Sequence, residues 1–342
     1  MRRTARRRSR RLSAVTAFLV ASLPVTGLAA PQGGPGGTLV VVNKGGASVH
    51  LVDVGSGRTL AALPTGLGPH EVALSADGRT AVVTNYGTRE PGRTLTVIDV
   101  ARAAVLRTID LEPHRRPHGI AFLPNDGEVV VTSEATGHVL RVDVASGAIL
   151  TALPTGQAGS HMLALAPSAG RVWTSNAGDD TVTEIDLAGG TRTRILAVPP
   201  TPEAIGVTPD GAEVWVGSNE EGTVSVIDVE SGEVVRALAG FAWPYRTYIT
   251  GDGRLVLIPD PRAERLAVVD RAGRRELRGL VFPGGAPQGV TVAAGAGIAF
   301  LSLSAEDRVA VIDLGSGKIL DHLPTGRGPD GVAWTPVRPE LP

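Results

Sequence analysis

Seven copies of one motif, in register along most of the chain, constrain this sequence more than any other feature in it. An apolar stretch ending in aspartate recurs as LVDV, VIDV, RVDV, EIDL, VIDV, VVDR and VIDL. It places Asp53, Asp99, Asp143, Asp186, Asp228, Asp270 and Asp313 at spacings of 46, 44, 43, 42, 42 and 43 residues. A glycine turn recurs with it, at Gly78, Gly127, Gly170, Gly211, Gly253 and Gly295. An apolar run ending in a polar residue completes the set: VVVNK, VVTNY, VVTSE, VWTSN, VWVGSN, VLIPD and AFLSL. A period of about 20–50 residues is the signature of stacked or radial repeats. In the second whole copy the residues resolve into four short strands, A to D: His118 to Phe122, Glu128 to Thr132, His138 to Asp143 and Ala148 to Leu153.

Four-stranded units repeated radially make a propeller, which protects its sheet edges by closing the ring. The fold class expected is therefore all-β, a seven-bladed β-propeller of four-stranded blades over 38–336. The repeats begin in a strand B (Thr38 to Asn43) and end in a strand A (Gly331 to Thr335). One blade must then pair N-terminal strands B, C and D with a C-terminal strand A, leaving 337–342 as a tail. The 44 glycines and 25 prolines fit many tight turns, and no stretch has the 3.6-residue period of a long amphipathic helix. Each repeated aspartate precedes a turn, where its carboxylate can accept backbone N–H bonds, so these seven read as turn formers and not as catalytic acids.

The N-terminus carries a different signal. Seven arginines (Arg2, Arg3, Arg6, Arg7, Arg8, Arg10, Arg11) precede the apolar run Leu12 to Val25 and the small residues Gly27 to Ala30. That order is a secretory signal over 1–30, cleaved near Ala29, with 31–37 a Gly/Pro-rich linker. The run is too short, and too interrupted by Pro24, for a stable membrane span. Ser9-Arg10-Arg11 loosely resembles a twin-arginine signal, and general secretion and twin-arginine export both stay open. The expected location is periplasmic, cell-surface or secreted. Past the signal, 26 basic side chains face 34 acidic ones, a net charge of −8. No basic footprint for nucleic acid remains. There is no cysteine, which removes disulfides, thiolate ligands and cysteine nucleophiles.

The run AVVTNYGTREPGRTLTVIDVARAAVLRTIDL followed by PHGIAFLPNDG resembles the YVTN repeat of bacterial and archaeal propellers. Its tetrad here is Val82-Val83-Thr84-Asn85, departing conservatively at the first position. The resemblance covers essentially all of 38–336. It implies a seven-bladed propeller of the YncE-like group, exported or surface-associated, and says little about chemistry because the group is functionally mixed.

Strand A is innermost, so the residue leading into it lies at the mouth of the central channel. Six of the seven copies have proline there: Pro69, Pro117, Pro202, Pro244, Pro287 and Pro329, with Ser160 the exception. The next residue is presented at the funnel: His70, His118, His161, Glu203, Tyr245, Gln288 and Asp330. His70, His118, His161 and Glu203, with Asp330 closing the ring, form an arc of imidazole and carboxylate donors suited to Zn, Cu or Fe, with Mg a further candidate. A non-metal ligand, or simple padding against neighbouring backbone, fits the same residues. One position on, the repeat prefers small or apolar residues, and Glu71 and Arg246 break that rule. They read either as site residues, Arg246 clamping an anion, or as an inter-blade ion pair. A basic corner of Arg89, Arg93, His114, Arg115 and Arg116 lies beside His118, either as a rim for an anionic ligand or as solvated charge. The polar residues leading the B–C loops (Asn43, Asn85, Glu134, Asn176, Asn219, Asp260, Ser302) read as turn caps.

No phosphate loop, G-x-S-x-G elbow, H-E-x-x-H pair or haem attachment motif occurs. The leading reading is an exported, monomeric propeller that binds a small molecule, a metal ion or a protein partner at its axial face. His70, His118, Tyr245, Arg246, Gln288, Arg89 and Arg116 are its candidate ligand contacts. Two alternatives remain: a lactonase- or streptogramin-lyase-like enzyme using the axial His and Glu, and a scaffold whose rims contact proteins.

Overall fold

The computed structural model describes residues 35–166 and 170–340. The signal segment and most of the linker lie outside the described residues. Seven antiparallel four-stranded sheets form the ring, and their innermost strands are Pro69–Leu74, Pro117–Phe122, Ser160–Ala166, Pro202–Val207, Tyr248–Ile249, Pro287–Ala293 and Pro329–Thr335. They head blades 1 to 7 in that order. Blade 7 is the composite one: Pro329–Thr335 pairs with Thr38–Asn43, followed outward by Ser48–Asp53 and Thr59–Pro64. Its register runs from Thr38 opposite Thr335 to Val41 opposite Val332. No described helix is long and apolar enough to cross a membrane.

The burial pattern explains the sequence pattern. Second strands such as Thr38–Asn43 and Glu128–Ser133 are buried on both faces, because a neighbouring blade covers each side. They therefore read as nearly continuous apolar runs. Outer strands such as Ile149–Pro154 alternate between half-buried and exposed residues. The core consequently lies between blades. Val82, Leu95 and Val97 of blade 1 pack on Val129, Val131 and Leu140 of blade 2, and Leu39, Val41 and Val332 of the composite blade pack on Phe300 and Val309 of blade 6. Each such side chain contributes roughly 1.5–3 kcal/mol by leaving water, so the clasp is held by packing as well as by its ladder.

Six of the seven turn aspartates cap their turns as expected; Asp53, for example, accepts the Ser56 N–H at 2.8 Å and Asp143 the Ser146 N–H at 2.6 Å. Asp270 instead faces Arg275 at 3.8 Å.

A bulge near the start of the innermost strand positions the channel residues. The register slips between Pro69 and Val72, Pro117 and Ile120, Ser160 and Leu163, and Pro287 and Val290. A bulge frees residues from the ladder and re-aims them, and here the freed ones include His70, His118, His161 and Gln288. The hydroxyl of the V-T-N tetrad fills the gap. Thr84 accepts the Glu71 N–H at 3.0 Å, Thr132 the Gly119 N–H at 2.9 Å and Ser175 the Met162 N–H at 3.3 Å. Thr132 and Ser175 then donate to the next blade, to the carbonyls of His161 at 2.6 Å and Glu203 at 2.7 Å. The asparagine beside them ties the hairpin, as Asn85 donates to Thr94 at 2.9 Å and Thr96 at 3.0 Å. The glycine of Pro-His-Gly is steric: a Cβ on Gly119 would sit 2.4 Å from the Leu163 nitrogen.

Blade 5 departs from the expectation of a strand A beginning at Pro244, because its innermost strand is only Tyr248–Ile249. Its second strand carries Pro259 where blades 1, 2 and 3 have the bulge-capping hydroxyl, and proline brings neither that hydroxyl nor an N–H. The leading segment is held otherwise. Tyr245 N–H donates to the Pro259 carbonyl at 2.9 Å, and the Ala242 and Trp243 N–H groups donate to Asp260 at 2.7 and 2.9 Å.

Candidate functional site

The bulges of blades 1, 2 and 3 bring His70, His118 and His161 into one stack. Ring centroids are 4.1 Å apart for His70 and His118 and 3.8 Å for His118 and His161, with the planes tilted by 49° and 34°. Tyr86, just past the blade 1 tetrad, stands edge-on to His70 and His118 at 5.6 and 5.1 Å. The central ring, His118, is wholly buried. Its Nδ1 lies 3.1 Å from the Met162 sulfur, and its Nε2 has no partner among the described residues. Burial, reinforced by the neighbouring His161 and His70, holds the His118 pKa well below the ordinary histidine value. Burial thus favours the neutral imidazole, and Nε2 is its unpartnered nitrogen.

The outer rings are held by acids. His161 Nδ1 lies 2.7 Å from Glu134 Oε2, and the Tyr86 hydroxyl donates to Glu134 Oε1 at 2.9 Å. Burial opposes ionisation of Glu134, but these two bonds outweigh it and its carboxyl titrates below the ordinary range. The same arrangement, led by burial, pushes the Tyr86 phenol up to about 12. His70 Nδ1 lies 3.2 Å from Glu71 and 3.3 Å from Asp330.

Below the histidines, a charge network spans the channel. Arg246 of blade 5 pairs with Glu71 of blade 1, and it lies 3.9 Å from Asp330 of blade 7. Its guanidinium also stacks on the Tyr245 ring, 4.0 Å from the centroid. Tyr245 donates to Asp330 at 3.1 Å, and Lys44 approaches the same carboxylate at 3.4 Å. Burial resists ionisation of both Glu71 and Asp330, yet Arg246 and His70 beside Glu71, and His70 and Lys44 beside Asp330, lower both carboxyls. The two rule-breaking residues of the repeat, Glu71 and Arg246, are thus partners across the channel.

Above the network opens a cavity of about 350 Å³, lined by Lys44, His70, Tyr86, His118, His161, Glu203, Trp243, Tyr245, Pro261, Arg262 and Gln288. A second, of about 360 Å³, continues down the channel, with Glu71 and Arg246 among its lining residues. Arg262 stacks over Trp243 at 3.6 Å on the rim of the upper one. Gln288 brings a buried, unpartnered Oε1.

The axial residues named from the repeat are therefore assembled, with different roles. His118 and His161 form a three-donor cluster with Glu134, and His70 and His118 form one with Glu71. Glu203 lines the cavity outside both clusters, and Asp330 is committed to Lys44, His70 and Tyr245. Arg116 lies over the Tyr86 ring at 4.7 Å, beside the cavity. Arg89 is exposed and outside the lining. The rest of the basic corner is largely neutralised, since Arg93 pairs with Asp110 and Glu112 and Arg115 with Glu112.

Of the residues read as turn caps, Glu134, Asn219 and Ser302 fall out of register. Asn219 lies one step past the hairpin end at Ser218 and Ser302 one step before the end at Leu303, and neither side chain has a bond among the described residues. Strand pairing aligns Ser133, not Glu134, with Asn43, Asn85 and Asn176 at the hairpin ends. Glu134 sits one step on, in register with Lys44 and Tyr86, and all three point to the mouth. That position, variable in charge where the repeat is otherwise regular, was the available signal.

A family model described as a YNCE-like beta-propeller matches residues 139–275. No curated protein matches the chain. Among solved structures, hydrazine synthase of Kuenenia stuttgartiensis is similar with a TM-score of 0.71 and 18% identity, over 86% of this chain and 99% of that one. A functionally unknown protein of Desulfotomaculum acetoxidans DSM 771 is similar with a TM-score of 0.73 and 14% identity, over 89% and 100%. The periplasmic gluconolactonase PpgL of Pseudomonas aeruginosa is similar with a TM-score of 0.71 and 18% identity, over 88% and 99%. At these identities the likeness is one of fold. Seven blades in one ring make the chain a seven-bladed β-propeller, and its stretch 139–275 matches the YNCE-like beta-propeller model.

Proposed function

We propose that this is an exported propeller that binds a small polar molecule in the upper axial cavity. The observation that carries the reading is the cavity itself. At about 350 Å³ it has the size of a small-ligand pocket, and it combines aromatic walls (Tyr86, Trp243, Tyr245) with converging polar groups. Two of those groups, His118 Nε2 and Gln288 Oε1, are buried without a partner among the described residues. Buried polar atoms are normally bonded, so both are supported as ligand contacts. Export is supported by the arginine-rich, apolar and small-residue order of 1–30.

Thermal unfolding in the presence of a panel of small hydroxycarboxylates, sugar acids and lactones tests it. A ligand at a hundred times its Kd adds about 2.7 kcal/mol, a shift of several degrees. The shift should disappear in Gln288→Leu and in Trp243→Ala. If it persists in both, binding lies elsewhere.

A second reading, a hydrolase of lactone-like esters, has one observation in its favour: the Glu134–His161 pair at 2.7 Å is an oriented imidazole beside an open cavity. Hydrolysis of gluconolactone above the buffer rate, abolished in His161→Ala, would support it.

A further inference from the structure

Two clusters at the mouth each hold three metal-type donors within 4.8 Å of one another: His70, Glu71 and His118, and His118, Glu134 and His161. Their carboxylates are held in different ways. Glu71 is the counter-ion of buried Arg246, and turning it onto a cation would strand that guanidinium. Glu134 has no such obligation. Its oxygens are held by a phenol and an imidazole, Tyr86 and His161, and among the described residues no lysine or arginine forms an ion pair with it, Arg116 acting on it only through its nearby charge.

We infer that His118, His161 and Glu134 form a three-ligand site for a divalent cation of the zinc class, with a fourth position open to the axial cavity. The inference rests on the same cavity as the proposed binding function and gives it a chemical centre. Two imidazoles and a carboxylate are a donor set that suits zinc and leaves an open position for a ligand. Zinc bonds of about 2.0–2.2 Å place tetrahedral donors about 3.3 Å apart. Atoms now within 4.8 Å of one another need to close by at most about 1.5 Å, within the reach of side-chain rotation. The orphaned, fully buried Nε2 of His118 gains the partner it lacks. The His161–Glu134 contact serves both states. Without a cation the ring and the carboxylate bond one another; with one, both groups turn to the metal.

Calorimetric titration of the purified protein with Zn²⁺ tests this. The deciding variants are Glu134→Gln and His161→Gln, which keep size and sit on the half-buried side of the stack, with circular dichroism confirming that each folds. One Zn²⁺ per chain is expected in the wild type, with Kd weakened at least about tenfold in both variants. His138→Gln should leave it unchanged, although His138 forms a separate pair with His114 at 5.0 Å. Co²⁺ in place of Zn²⁺ should give visible absorption bands that both deciding variants lose. Absence of Zn²⁺ binding by the wild type, or binding that survives both variants, overturns the site. A panel ligand that still shifts the melting temperature of metal-free protein would then leave the binding function standing. Intact Zn²⁺ binding with no panel shift would remove that function and keep this site.

Discussion

Replacing Arg246 with leucine removes the guanidinium that faces two carboxylates in the channel. Glu71 is its direct partner and Asp330 lies 3.9 Å away, and both acids are largely or wholly buried. Removing one member of a buried ion pair leaves an uncompensated charge and costs about 3–5 kcal/mol. Lys44 and His70 remain beside Asp330 at 3.4 and 3.3 Å, so the uncompensated group is chiefly Glu71. For a chain of this size each kcal/mol corresponds to roughly 2 °C, so the melting temperature should fall by roughly 6–10 °C. The double variant Arg246→Leu, Glu71→Leu should recover most of the loss, because two apolar side chains of similar volume can replace a buried pair at little cost. Acid should narrow the gap. Both carboxyls titrate below their ordinary values in the wild type. Their contribution is therefore complete above the unfolded-chain pKa of about 4 and is lost as the pH falls through the lower folded values. In the variant the stranded carboxylate is already unfavourable, so protonation relieves it. Thermal unfolding by circular dichroism at neutral and acid pH measures each quantity. A single variant that loses less than about 1 kcal/mol, or a double variant no more stable than the single, would refute the account of the channel as a buried ion-pair network.

Thr132→Val should cost about 1–3 kcal/mol in chemical denaturation, because it leaves the Gly119 N–H and the His161 carbonyl without the hydroxyl that bridges two blades; a neutral result would mean that the bulge does not need its cap. The three tyrosines are Tyr86, Tyr245 and Tyr248, and burial raises every one, Tyr86 to about 12. Ultraviolet titration of folded protein should therefore show no phenolate step near pH 10, the ordinary value, and such a step would contradict the packing around the mouth. Deleting residues 329–342 removes the innermost strand of the composite blade and exposes the ladder edge of Thr38–Asn43 with Leu39 and Val41. Loss of cooperative unfolding and concentration-dependent aggregation should follow, and a truncated chain that melts as the wild type does would show that the clasp is dispensable.

The blades were legible because their determinants are local. An apolar run buried on both faces, an aspartate capping its own turn and a proline ahead of a bulge each act within a few residues. The four strands read in the second whole copy fall within a residue of those observed. The axial positions of His70, His118 and His161 followed from the same register. What the sequence concealed was contact across the ring. Arg246 and Glu71 are 175 positions apart, and nothing in either blade names the other. The short innermost strand of blade 5 turns on Pro259, whose effect falls on residues more than ten positions earlier. The basic corner looked free because the acids that neutralise it, Asp110 at the end of the strand Ala104–Asp110 and Glu112 just past it, lie outside the corner's own run of residues. Glu134 is hard to align because the hairpin of blade 2 ends in Ser133 where blades 1 and 3 end in Asn85 and Asn176, and the stronger polar group lies one residue on.

The bulges at the channel mouth have a consequence for how such a protein diversifies. At those positions the backbone is secured by the neighbouring strand's hydroxyl and by the next blade, and not by the side chain that the bulge displays. The display positions of blades 1 to 3 are thereby insulated from the structure that carries them. A lineage can exchange histidine for glutamate, glutamine or tyrosine there with little penalty to folding, and it can do so one blade at a time. The repeat is conservative where it holds itself together and permissive at the residue it offers to the channel, which makes the ring a scaffold on which sites can be rewritten.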